Sequence, residues 1–140
     1  MGEVRANVLI ENGEDIGLAR RGMIDPNSVR RVDADMVVDT GAVVVLLPQD
    51  MVEALGLTLF EKRVVTLADD RKVEMPIAGP LRMTIFRRTM NLDCLVGPPG
   101  CAPLLGQVVL ESLDLIVDPA KRQLTVRPES PFLQIGRAHV

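Results

Sequence analysis

The chain of 140 residues has no tryptophan, no tyrosine and only three phenylalanines. Its interior must therefore be assembled from Val, Leu, Ile and Met, and it offers little aromatic surface on which nucleic-acid bases could stack. An excess of basic charge is also missing: the formal net charge is −3, and the arginine pairs Arg20-Arg21, Arg30-Arg31 and Arg87-Arg88 are scattered, so neither nucleic acid nor an anionic membrane is an expected partner. With a single histidine, His139 in the terminal "IGRAHV", Ser-His-Asp triads and Cys-His zinc sets have almost no material. The two cysteines, Cys94 and Cys101, are expected to be free thiols. No apolar run approaches the length that spans a bilayer, the longest lying around Ala42 to Leu47, and the opening "MGEVRANVLIENGED" has no apolar leader segment, so the expected location is the cytoplasm.

What remains is an ordinary globular composition, 47% hydrophobic and 25% charged, of a size that suits one domain. That domain is taken as residues 1–135, with 136–140 as a terminal tail. Period-two alternation and turn residues predict a mostly β protein. "VRANVLI" reads as a first strand, followed by a long polar, glycine-containing connection, "ENGEDIGLARRGMIDPNS". In the next stretch Val32, Ala34, Met36 and Val38 fall on one face and Asp33 and Asp35 on the other. "AVVVLLP" is continuously apolar and predicts a strand covered on both faces. A helix follows, with Pro48 in its first turn, Met51, Val52 and Leu55 as its apolar stripe and Gly56 as its stop. Two hairpins are expected, turning at Asp69-Asp70 and near Arg87-Arg88. A short helix over Val108 to Ser112, a strand "LDLIV", a turn at Asp118-Pro119-Ala120 and a last strand "QLTVRP" complete the chain.

The stretch most suggestive of chemistry is "MVVDTGAVVVLLP", Met36 to Pro48. An aspartate between two apolar runs is costly unless its charge is used. Gly41 lets the backbone turn sharply and bring its N–H to a carboxylate, Thr40 has a stiff β-branched side chain, and the apolar flanks keep water out. The same triplet also occurs as a plain turn in which Asp caps its own backbone.

Its setting is more specific. "VVDTGA" is followed by "LP" and a helix ending "LGL", then by "LADD", then by "LLGQVVLESLDLIVD" and "LTV". This order resembles the retropepsin-like aspartic proteases, the single-domain family of the retroviral proteases and many bacterial relatives, over about Val4 to Val126. The resemblance implies an all-β closed barrel of acid-protease type with one or two short helices, acting as an aspartic endopeptidase of bacterial type without metal or organic cofactor. Asp39 matches the catalytic aspartate, Thr40 the residue that pins two loops across a two-fold axis, and Gly41 the glycine beside the paired carboxylates. Ala42, Ala68, Asp69 and Asp70 match substrate-facing positions, the last three at the tip of a covering flap. Leu104, Leu105 and Gly106 match the segment that buttresses the active-site loop. Three departures stand out: Asp70 where the flap turn usually has glycine, Gln107 where viral members carry arginine, and Val43-Val44 where they carry acids.

Peptide hydrolysis of this kind needs two carboxylates, one to take a proton from water and one to donate to the carbonyl under attack. The chain has one Asp-Thr-Gly. Asp118, followed by Pro119, reads as a turn residue, and Asp33 and Asp35 read as solvent-facing. The second carboxylate is therefore expected from a second copy, in a homodimer acting on a peptide or protein substrate. Two other readings remain: a retropepsin-like peptide-binding or dimerisation module with little turnover, and a metal site built from Asp33, Asp35 and Asp39, which lacks enough ligands for an oxygen cage.

Overall fold

The first apolar stretch forms β1 (Val4–Asn12), and β2 (Arg31–Val38) runs antiparallel to it with Val4 opposite Val38 and Glu11 opposite Arg31. These elements belong to a computed structural model that describes residues 3–127; His139 and the expected tail at 136–140 lie outside the described residues. In β2 Ala34 and Met36 are buried while Asp33 and Asp35 are exposed, the period of two that a strand imposes.

The long connection expected between β1 and β2 contains a helix that was not expected, α1 (Gly13–Arg20), followed by a single helical turn at Pro26–Ser28. The Asn12 side chain accepts the Asp15 N–H at 3.0 Å, and Glu14 and Asp15 lie in the first turn, where acids favour a helix. Asn12 also donates to the carbonyls of Leu55 and Gly56, at 2.8 and 3.2 Å. Asp15 is buried and grips Arg30 through both carboxylate oxygens, at 2.8 and 3.0 Å. The Arg30 hydrogen bonds hold its carboxyl below the usual carboxylate range in spite of that burial.

The expected continuous strand over "AVVVLLP" is also corrected. Only Leu46–Pro48 is strand, β3. Residues 42–45 form a loop in which Val45 is buried and Val43 is 71% exposed. The reason lies in the hydrogen bonds: the carbonyls of Ala42 and Val43 are taken by the N–H groups of Gln107 and Val108, at 2.7 and 2.9 Å, and not by a neighbouring strand. After β3 comes α2 (Gln49–Leu55), capped by Gly56 at φ +62, a left-handed position that glycine occupies without strain.

The remaining elements are β4 (Thr58–Thr66), β5 (Lys72–Ile85), β6 (Arg88–Gly97), β7 (Leu104–Leu105), α3 (Gln107–Ser112), β8 (Leu115–Asp118) and β9 (Gln123–Val126). Seven strands form one sheet in the order β1-β2-β7-β3-β6-β5-β4, and β1 pairs again with β5, Leu9 opposite Thr84 and Asn12 opposite Leu81. The pairings thus run in a ring from β1 back to β1, and β4 is left as an outer strand. The protein is mostly β, as expected, with a sheet that curls into a ring and, among the described residues, three α-helices where one or two were expected. Val8, Ile10, Met36, Leu47, Leu81 and Met83 are fully buried in the core. Phe60 and Phe86 are exposed, so among the described residues the core is aliphatic, as the composition requires. Cys94 and Cys101 are free, and burial pushes the Cys94 thiol up to about 12.

The second hairpin turns one residue earlier than expected. Ile85 pairs with Arg88, so Phe86 and Arg87 are the turn, and both have left-handed backbones, φ 50 and 66. Arg88 is instead buried, and its guanidinium donates to the carbonyl of Leu113 at 2.7 Å. A two-residue turn of this hand suits Asn-Gly, and a bulky L-residue there costs about 1–2 kcal/mol. The double change Phe86→Asn with Arg87→Gly is expected to raise the free energy of urea unfolding by about 1–2 kcal/mol; an unchanged or lower value would refute the turn assignment.

Candidate active site

The loop at residues 39–45 is built by two neighbours that lie far away in sequence. At its entry β2 lies parallel to β7, Val37 beside Leu104 and Val38 beside Leu105. The Val37 N–H donates to Pro103 O at 2.9 Å, and the Asp39 N–H donates to Leu105 O at 3.0 Å. At its exit the first N–H groups of α3, on Gln107 and Val108, donate to the carbonyls of Ala42 and Val43. A helix start has N–H groups without intrahelical partners, and here two of them hold the loop.

Within the loop the chain closes on Asp39. Its Oδ1 accepts the Gly41 N–H at 3.0 Å, and its carbonyl accepts the Ala42 N–H at 3.1 Å. The carboxylate is half-buried, and Thr40 and Gly41 are exposed beside it. The result is a half-buried acid whose carboxylate is oriented by one backbone donor, the Gly41 N–H.

The two glycines of the site differ. A Cβ on Gly106 would lie 2.3 Å from Val44 O and 2.8 Å from the carbonyl carbons of Val43 and Val44, so only glycine lets the segment before α3 press on the loop. A Cβ on Gly41 would meet Asp39 Oδ1 at 3.3 Å, which a small shift relieves. The chain's own packing therefore demands Gly106 far more strongly than Gly41.

Among solved structures, the EIAV protease complexed with the inhibitor HBY-793 matches with a TM-score of 0.56 at 17% identity, over 80% of this chain and 88% of that one. The retroviral protease-like domain of Ddi1 from Leishmania major matches with a TM-score of 0.55 at 12% identity, over 91% and 90%. The chain has a retropepsin-like fold. Its sequence matches no family model and no curated protein.

In this retropepsin-like fold the residues singled out from sequence fall in two places. Asp39, Thr40, Gly41 and Ala42 meet Leu104, Leu105 and Gly106 through the hydrogen bonds and contacts above. Ala68, Asp69 and Asp70 lie apart, exposed at the tip of the β4–β5 hairpin. That tip is closed by its own bonds: Leu67 N–H to Arg71 O at 2.8 Å, and Arg71 Nε to Asp69 Oδ2 at 2.7 Å. Asp70 sits at φ 66, a conformation that glycine would enter freely and that Asp tolerates better than most residues. Leu67 and Arg71 of the hairpin share a mainly apolar groove of about 620 Å³ with Gln49 and Val52 of α2.

The carboxylates considered as alternatives are otherwise engaged or placed. Asp118 Oδ1 accepts the N–H groups of Ala120 and Lys121 at 3.0 and 3.1 Å, as a turn residue does. Asp35 pairs with Arg5 at 3.0 Å on the solvent side of β2, and Asp33 is exposed on that same side. Sequence reasoning missed the part of Gln107 and Val108, because the donors are backbone groups and carry no side-chain signature. Beside the loop, Thr40 opens onto a groove of about 440 Å³ with Gln107, Leu110, Glu111, Leu115 and Val117.

Proposed function

We propose that this chain is an aspartic endopeptidase that works as a homodimer. The observation that carries the proposal is the Asp39 loop: a carboxylate fixed by the Gly41 N–H, in a loop held from both sides by β7 and α3, within a retropepsin-like fold. One such carboxylate cannot be both base and acid at once. A second copy related by a two-fold axis supplies the partner with equal geometry. The exposed Thr40 and Val43 and the groove beside Thr40 offer a surface for that second copy next to the reacting groups.

In the proposed mechanism one Asp39 takes a proton from a water held between the pair while the other, protonated, donates to the substrate carbonyl oxygen. The water oxygen bonds to the carbonyl carbon. The carbon–nitrogen bond then breaks as the departing amine receives a proton, leaving a carboxylic acid and an amine. The β4–β5 hairpin serves as the flap that covers the peptide and excludes water. Cleavage of a diverse peptide mixture, followed across pH with and without pepstatin, tests the proposal: pepstatin-sensitive cleavage is expected, and its absence at every pH would refute it.

One observation favours a second reading, a peptide-binding module with little turnover. The flap tip carries Asp70 in a left-handed turn closed by the Asp69–Arg71 pair, which makes it stiffer than a glycine turn.

A further inference from the structure

The corner where α2 turns into β4, residues 55–58, is gripped by the start of α1. Asn12 is 1% exposed, and both ends of its side-chain amide are engaged: Oδ1 accepts the Asp15 N–H at 3.0 Å, while Nδ2 donates to the carbonyls of Leu55 and Gly56 at 2.8 and 3.2 Å. One side chain thus caps the first turn of α1 and satisfies carbonyls that the end of α2 leaves without helical partners. Two neighbours add to the grip. Thr58 Oγ1 donates to Glu14 Oε1 at 2.7 Å, and the Arg30 guanidinium, held by both oxygens of Asp15, lies so close over Gly56 that a Cβ there would collide with it.

Little else fixes the direction of β4. Among the described residues it pairs only with β5, its side chains are exposed except for a half-buried Val65, and its regular pairing breaks between Leu59 and Lys62, just past its start. The partner strand is anchored. From Leu81 to Thr84 β5 pairs with both β1 and β6, and Ala78, Leu81 and Met83 are fully buried. Asn12 is itself part of that anchorage, because its backbone lies opposite Leu81 in the β1–β5 pairing. A segment with few buried contacts and a free edge opens locally, so the bonds at residues 55–58 govern how β4 swings at its root.

We infer that Asn12 is a positioning residue for the flap, a role that rests on the peptidase reading above. By tying the root of β4 to the frame that holds β5, it sets the direction in which the hairpin leaves the sheet, and so the pose in which a covered peptide meets the reacting carboxylates. It touches no reacting group and acts through the hairpin. A displacement of about 1 Å caused far from the chemistry can cost about a hundredfold in rate, and changes at a hinge often move kcat and KM together.

Asn12→Ser and Thr58→Val separate this role from a contribution to overall stability. Serine still accepts the Asp15 N–H as a helix cap but is too short to reach the carbonyls of Leu55 and Gly56. Valine keeps the branched shape of Thr58 and removes only the bond to Glu14. Hydrogen exchange, read by NMR on the folded variants, compares the flap amides of residues 62–66 and 72–75 with the core amides of residues 81–85 and 88–92, and kinetics are measured on peptides that the wild type cleaves. Flap amides should exchange about tenfold faster in Asn12→Ser and about threefold faster in Thr58→Val, the scale of one or two lost hydrogen bonds, and kcat/KM should fall by similar factors. A merely structural role would speed the core amides, which exchange by global unfolding, and leave the flap amides, which exchange by local opening, where they were. That result overturns the proposal, as does an unchanged kcat/KM beside faster flap exchange. If Asn12→Ser does not fold, Thr58→Val decides by the same criteria. If the wild type cleaves nothing, the peptidase reading fails and exchange alone decides: faster flap amides support the grip on β4, and unchanged ones overturn it.

Discussion

Asp39→Asn is expected to lower peptide cleavage by at least about a thousandfold, the scale of losing a positioned acid–base group, while leaving fold and dimer in place. The selectivity of the effect follows from the loop. Asp39 Oδ1 accepts the Gly41 N–H at 3.0 Å, and an asparagine oxygen accepts the same bond, so the turn survives and unfolding free energy should change by no more than about 1 kcal/mol. What asparagine cannot do is exchange a proton with water near neutral pH. Kinetics on peptides cleaved from the mixture together with a denaturant titration separate the two effects. Retained turnover in a folded variant would remove Asp39 from the mechanism.

Gly106→Ala should have the largest effect on stability of any single methyl group added near the site. The new Cβ would lie 2.3 Å from Val44 O and 2.8 Å from two backbone carbons, so either the loop or the start of α3 must move. Overpacking of this kind costs typically 1–3 kcal/mol, and displacement here would also strain the bonds from Gln107 and Val108 to Ala42 and Val43, so a loss of about 3 kcal/mol is expected. Assayed where the variant is still folded, cleavage should fall further than the folded fraction explains. Gly41→Ala is the informative contrast, since its Cβ would meet only Asp39 Oδ1, at 3.3 Å. A stable Gly41→Ala chain that fails to cleave would place the need for that glycine in the second copy. Equal stability of Gly106→Ala and wild type would contradict the described packing.

The parts of the fold that were readable before any coordinates are those where side-chain chemistry reports backbone state directly. Alternation in β2, the apolar stripe and Gly56 stop of α2, and the turn at Asp69-Asp70 are all of this kind. The failures have physical causes as well. Asn12 followed three residues later by Asp15 carries a helix-start signature, but the polar residues around it read as loop. The run after Gly41 reads as strand because its apolarity is evident, whereas its actual hydrogen-bond partners, the free N–H groups at the start of α3, leave no mark in sequence. Phe86 and Arg87 occupy a turn that normally advertises itself with Asn or Gly, and Arg88, polar by type, is buried because two carbonyls receive it. Of the candidate site, the residues of the loop and its buttress were legible as a set, Asp39 to Ala42 with Leu104 to Gly106.

The central claim is that each active centre takes one Asp39 from each of two chains, and subunit mixing tests it most directly. Wild-type chains are equilibrated with increasing amounts of Asp39→Asn chains, exchange is verified with isotope-labelled subunits, and the rate of cleavage is measured at constant total protein. A mixed dimer has one carboxylate and cannot supply both base and acid, so the account predicts a rate that falls as the square of the wild-type fraction. A rate that falls in simple proportion to that fraction would mean that one Asp39 suffices, and would contradict the shared centre.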